Sequence, residues 1–113
     1  SSILVWNARG LNNQARRNSV CDTILSSHAD IVCIHATKLA AVSSQLLLTV
    51  FGAAFDKFVT LPADGSRGGI LIAWKGACCH TISSRVDRYS VSIQFAEQEG
   101  RNWWFTGVYG PRG

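Results

Sequence analysis

Residues 31–38 read Ile31-Val32-Cys33-Ile34-His35-Ala36-Thr37-Lys38. Four consecutive apolar residues followed by a polar tail describe a short buried strand that delivers its last residues to a sheet edge. Upstream, Ile3-Leu4-Val5-Trp6 is a second apolar run, readable as a buried strand ending at Asn7. Between the two, Gly10 and Asn12-Asn13 mark a turn and a helix start. Across 14–28, Arg17 (by its stem), Cys21, Ile24, Leu25 and His28 recur at three- and four-residue steps, with Val20 widening the stripe. That spacing predicts an amphipathic helix laid on a sheet, with Arg16, Asn18, Asp22 and Ser26 toward solvent. Strand, helix and strand within some thirty residues form a crossover unit with parallel strands. Asn7 and Ala36 then emerge at one sheet edge, where open α/β sheets place ligands.

Downstream, Ser43 or Ser44 caps a second helix that runs to about residue 50 and stops at Gly52. Strands are expected over 56–61, 70–74, from His80, over 89–95 and over 102–109. Turns fall at the Gly-rich 62–69 segment, Lys75-Gly76 and 97–101. Tyr89, Val91, Ile93 and Phe95 alternate with Ser90, Ser92 and Gln94, so one face of that strand is buried. The fold class is α/β: a mixed, mainly antiparallel sheet with two helices on one face.

At 113 residues the chain fits one small domain with a real core, and 47% hydrophobic against 16% charged residues excludes a disordered tail. No run approaches the roughly 18 apolar residues of a membrane span. The first residues read as a strand rather than a leader peptide. Met is absent even at position 1, as expected of a reading frame that extends upstream. Cys21, Cys33, Cys78 and Cys79 show no paired framework and read as reduced thiols. Cys78, Cys79 and His80 lack the spacers that let neighbouring ligands converge on zinc. The net charge of +4, carried by eight arginines and three lysines, suits phosphate contact and solubility equally well.

Three motifs in order carry a family resemblance: Asn7-Ala8-Arg9-Gly10-Leu11, the strand ending in His35-Ala36-Thr37-Lys38, and Val108-Tyr109-Gly110-Pro111. Together they resemble the endonuclease/exonuclease/phosphatase (DNase I-like) superfamily, and above all the apurinic-type endonuclease domains of plant LINE (non-LTR) retrotransposons. The resemblance runs through nearly the whole chain and covers the amino-terminal half of such a domain. It implies half of a four-layer α/β sandwich, Mg²⁺ as cofactor, DNA as partner and substrate, and a nuclear location. By resemblance Asn7 lies in the metal and phosphate pocket, and Tyr109 brings its hydroxyl to the phosphate. Ala36 stands where the metal-binding glutamate belongs.

Each position also has a plainer reading. Asn7 turns the chain after a strand, and Tyr109 before Gly110-Pro111 is an ordinary core-and-turn residue. Arg9 is a phosphate contact or a solvated loop arginine, and Lys38 a backbone-steering cation or a surface lysine. Arg67, in Ser66-Arg67-Gly68-Gly69, is a further candidate nucleic-acid contact. His35 replaces the usual glutamine and reads as structural, as do His28 and His80. One of Trp103 and Trp104 belongs to the core.

Hydrolysis of a phosphodiester needs a metal, an activated water and donors for the developing charge. A methyl group at 36 cannot ligate, and Asp30 sits about 17 Å away at the opposite end of the strand. The resemblance also implies downstream Asp-Asn, Asp and Asp-His motifs that these residues do not contain. The expectation is a catalytically inactive relative of a DNA phosphodiesterase, or a non-catalytic nucleic-acid-binding or protein-interaction module. Half a sandwich is further expected to expose an apolar sheet face and to self-associate or seek a partner.

Overall fold

The computed structural model describes residues 2–64, 68–97 and 100–109. Strand β1 (Ile3–Asn7) is followed by helix α1 (Gln14–Ser27) and strand β2 (Ile31–His35). Helix α2 (Ser44–Phe51) leads to β3 (Lys57–Leu61) and β4 (Ile70–Trp74). Strands β5 (His80–Val86), β6 (Ser90–Ala96) and β7 (Asn102–Val108) complete the described chain.

The helices begin and end where local chemistry dictates. Asn13 caps α1 by accepting from the amides of Ala15 and Arg16, and His28 closes it in the left-handed conformation with φ 55°. Ser43 caps α2 through the amide of Leu46, and the Gly52 amide returns to the Leu48 carbonyl. α1 presents Val20 and Ile24 inward, whereas Leu25 is 66% exposed. The expected inward place for Leu25 is therefore corrected: the buried stripe is narrower and centred one residue earlier.

The single mixed sheet expected from the sequence is two sheets. β1, β2, β4 and β3 form one, in that order, with β1 parallel to β2 and the other pairs antiparallel. β5, β6 and β7 form a separate antiparallel sheet. The helices cover one face of the four-stranded sheet, where Val32, Ile34, Leu71 and Ala73 meet Val20, Ile24, Leu47, Val50 and Phe51. The second sheet covers the other face, where Ile31, Cys33, Ile70 and Ile72 meet Val91, Ile93 and Phe95. Burial on both sides explains why residues 31–34 of β2 and the whole of β4 are apolar. Each Ile or Val side chain so buried contributes roughly 1.5–3 kcal/mol.

Two further expectations change for the same reason. The apolar face predicted to lie open is covered by β5–β7. Exposed apolar side chains sit elsewhere, with Trp104 and Val108 outside the three-stranded sheet and Val5 on β1. β1 itself is an exposed edge strand rather than a buried one. The second sheet packs chiefly on β2, β3 and β4. Trp103 supplies the core ring, stacked on Phe95 with centroids 4.9 Å apart.

Candidate functional site

The parallel crossover does what the sequence requires of it: Asn7 pairs with His35 in register, so β1 and β2 end together. Three loops meet at that edge, 8–11 after β1, 36–39 after β2 and 68–69 before β4. Backbone hydrogen bonds lace them into one surface. The amides of Ala8, Gly10 and Leu11 donate to the carbonyls of His35, Ala36 and Thr37 at 3.0, 2.7 and 2.9 Å. On the other side, Lys38 and Thr37 donate to Gly68 and Gly69 at 2.6 and 3.4 Å. The 36–38 segment is thus a ribbon held between two neighbours.

This edge stores backbone strain. Of the four non-glycine residues with positive φ among the described residues, Arg9 (55°), Ala36 (56°) and Lys38 (57°) all lie here. Each costs about 1–2 kcal/mol in that conformation. Such residues persist only where surrounding structure over-determines them, and they cluster at binding and catalytic sites. The bracing comes from α1. Arg17 Nε donates to the Leu11 carbonyl at 2.6 Å and Arg16 Nη1 to that of Ala8 at 3.1 Å. Asn12 Nδ2 donates to the Lys38 carbonyl at 3.1 Å. These three positioning residues escaped the sequence reading, because a side chain reaching a loop carbonyl leaves no periodic trace.

The structure brings Asn7, Arg9, Ala36, Lys38 and Tyr109 to one end of the molecule. A Cβ placed on Gly68 would lie 3.2 Å from Ala36 Cα and 3.8 Å from Tyr109 Cε1, so Gly68 is the spacer between them. Asn7 is exposed, and its Oδ1 accepts from the Arg9 amide at 3.2 Å, which is the turn-forming role. Arg9 and Lys38 are exposed, and the Lys38 side chain passes over Gly10. Tyr109 is buried at 9% exposure, stacked on the ring of Tyr89 with centroids 6.4 Å apart, and its amide donates to the Tyr89 carbonyl at 2.7 Å. Nothing local in the sequence signals that stack, which joins the turn between β5 and β6 to the residue that follows β7. Arg67, Gly110 and Pro111 lie outside the described residues.

Other candidates resolve as structural. His35 is half-buried with Nε2 3.5 Å from Cys33 Sγ, and burial holds its pKa below the usual histidine value. Burial pushes the Cys33 thiol up to about 12. Asp30, at the far end of β2, pairs with Lys75 at 3.8 Å. All four cysteines are free thiols.

The described side chains at this edge do not fit Mg²⁺. That ion wants one or two carboxylates in near-octahedral oxygen coordination. Here Ala36 offers only a methyl group, and Asn7 Oδ1 accepts from the Arg9 amide. Among the described residues no cluster of three or more His, Cys, Asp or Glu side chains could hold a metal. What the edge does offer is exposed cations, Arg9 and Lys38, on a braced loop surface.

Mixed four-stranded sheet, second antiparallel sheet and paired helices define a DNase I-like α/β sandwich. Among solved structures, the crystal structure of the AP endonuclease LMAP from Leishmania major superposes with a TM-score of 0.68 over 96% of this chain, at 16% sequence identity. The chain spans 39% of that protein's length. At this identity the likeness is one of fold. No protein-family profile matches the sequence, and no curated protein does.

Proposed function

We propose that the chain is a relative of divalent-metal-dependent DNA phosphodiesterases that keeps the DNA-facing scaffold and has lost the reaction. The observation that carries this is Ala36. It sits in a strained left-handed turn, hydrogen-bonded to Gly10 and packed against Gly68 beside Tyr109, with a methyl where a metal ligand is needed. A loop surface so firmly held, next to exposed Arg9 and Lys38, is suited to receiving a phosphate backbone. Without the carboxylate it has no means of fixing a metal to activate water. The fold of an AP endonuclease supports DNA as the partner class. The motif order from Asn7 through Tyr109 supports descent from a LINE-type retrotransposon endonuclease, whose DNA is nuclear.

Two measurements test this reading. The chain is expected to bind duplex DNA saturably, with affinity that falls steeply with salt and survives chelation of metals. It is expected not to nick supercoiled plasmid in Mg²⁺, and nicking by the unmodified chain would overturn the claim of inactivity. A protein-interaction module is the second reading, favoured by exposed Trp104 and Val108 on the outer face of β7. It predicts self-association in sedimentation velocity that Trp104→Ser abolishes.

A further inference from the structure

A cleft of about 590 Å³ lies between the start of α1 and α2, walled in part by the segment that joins β2 to α2. Small-molecule sites have volumes of this order. Leu39, Val42 and Leu46 give the cleft an apolar lining, and Arg17, Ser43 and Gln45 a polar one. No carboxylate is among the described residues that line it, and neither helix has an acidic residue in its first turn. Arg17 is half-buried, with Nε held on the Leu11 carbonyl at 2.6 Å. Its Nη1 and Nη2 groups make no hydrogen bond or ion pair among the described residues.

We propose that this cleft binds a small amphipathic organic anion, with its phosphate or carboxylate on the Arg17 guanidinium and its apolar body along Leu39, Val42 and Leu46. The inference goes beyond the DNA-binding reading and does not depend on it. A guanidinium anchored through Nε still has its Nη pair to meet the oxygens of an oxyanion. With no carboxylate in the lining, that charge has no competitor inside the cleft. The apolar lining lets an attached hydrocarbon leave water, which a bare ion cannot exploit. A polymer backbone running across the mouth would leave that lining unfilled. The walls are already built. The Leu39 amide donates to Thr37 Oγ1 at 3.3 Å, its carbonyl accepts from the Ala63 amide at 2.8 Å, and Ser43 Oγ accepts from the Leu46 amide at 3.1 Å. Little ordering is therefore needed on binding.

The test is an amide NMR titration of the 113-residue chain with hexyl phosphate as probe, set beside n-hexanol and inorganic phosphate. Hexyl phosphate is expected to bind saturably, with shifts gathered at Arg17, Leu39, Val42 and Leu46, and the other two to bind at least about tenfold more weakly. Gln45→Glu, an isosteric change that places a carboxylate at the cleft, is expected to weaken hexyl phosphate about fivefold. Arg17→Gln is expected to abolish measurable binding, and Lys57→Gln, which removes the same charge on β3, to leave it unchanged. Circular dichroism of each variant checks that the fold is intact. Absence of saturable binding, shifts on the outer face of β7 in place of the cleft, equal losses in Arg17→Gln and Lys57→Gln, or full affinity in Gln45→Glu would overturn the inference. So would complete displacement of hexyl phosphate by duplex DNA, which would assign the cleft to the DNA backbone.

Discussion

Gly69 stands against Thr37 so closely that a Cβ on the glycine would lie 2.6 Å from Thr37 Oγ1. Gly69 also has φ +90°, a conformation that side chains rarely adopt. Thr37 is 1% exposed, and its hydroxyl accepts from the Leu39 amide at 3.3 Å, so it cannot swing away without leaving that donor unpaired. Gly69→Ala is therefore expected to cost about 2–4 kcal/mol. Urea unfolding that shows a loss under about 0.5 kcal/mol would mean the two loops give way more easily than they are packed.

Ala36 makes the opposite prediction. Its φ of 56° strains an L side chain, and glycine relieves that strain. Ala36→Gly is expected to raise stability by roughly 1 kcal/mol after allowing for the freer unfolded chain. An unchanged or lower urea midpoint would show that the methyl contributes packing that outweighs the strain.

Two neighbours on α1 separate burial from pattern. Ile24 is buried at 4% exposure and Leu25 is exposed at 66%. Ile24→Ala is expected to cost about 2–5 kcal/mol and Leu25→Ala less than about 0.5 kcal/mol beyond any change in helix propensity. Equal losses would contradict the placement of the helix on the sheet.

Thiol reactivity follows exposure. Cys33 is buried with its pKa pushed up to about 12, and Cys78 is exposed. Under native conditions at mildly alkaline pH, iodoacetamide is expected to modify Cys78 first and to leave Cys33 unmodified until the chain unfolds. Peptide mass spectrometry reads the order, and early alkylation of Cys33 would refute it.

His35 gives a pH dependence with a definite sign. Burial lowers its folded pKa below the unfolded value of 6.5, so the unfolded chain takes up the proton first. Its contribution is full above pH 6.5, declines as pH falls from there toward the folded value, and is level below it. His35→Gln is expected to flatten that part of the stability curve. If the variant's curve runs parallel to the original through this window, His35 titrates alike in both states.

The candidate site divides between what local sequence shows and what it hides. Asn7 and Ala36 are placed at one edge by the parallel crossover alone, and the structure keeps them there. Tyr109 joins them through β7, as its Gly-Pro context and motif order suggest. The bracing by Asn12, Arg16 and Arg17 is invisible beforehand, because an arginine on a helix reads as solvated until its carbonyl partner is known. Tyr89 likewise stands out from its polar turn only through the ring of Tyr109.

Sequence by itself determined the order of elements, a helix start at Asn12-Asn13, a cap at Ser43 or Ser44, and the buried runs of β2 and β4. Each depends on residues within a few positions of one another, where backbone propensity, periodicity and side-chain chemistry act locally. Only the tertiary structure decided that β5–β7 form their own sheet, that β1 is left at an edge, and that Leu25 faces water. It also decided that Arg9, Ala36 and Lys38 are strained together. Those outcomes depend on which faces can be buried at once and on hydrogen bonds between distant loops, and no window of sequence contains both partners.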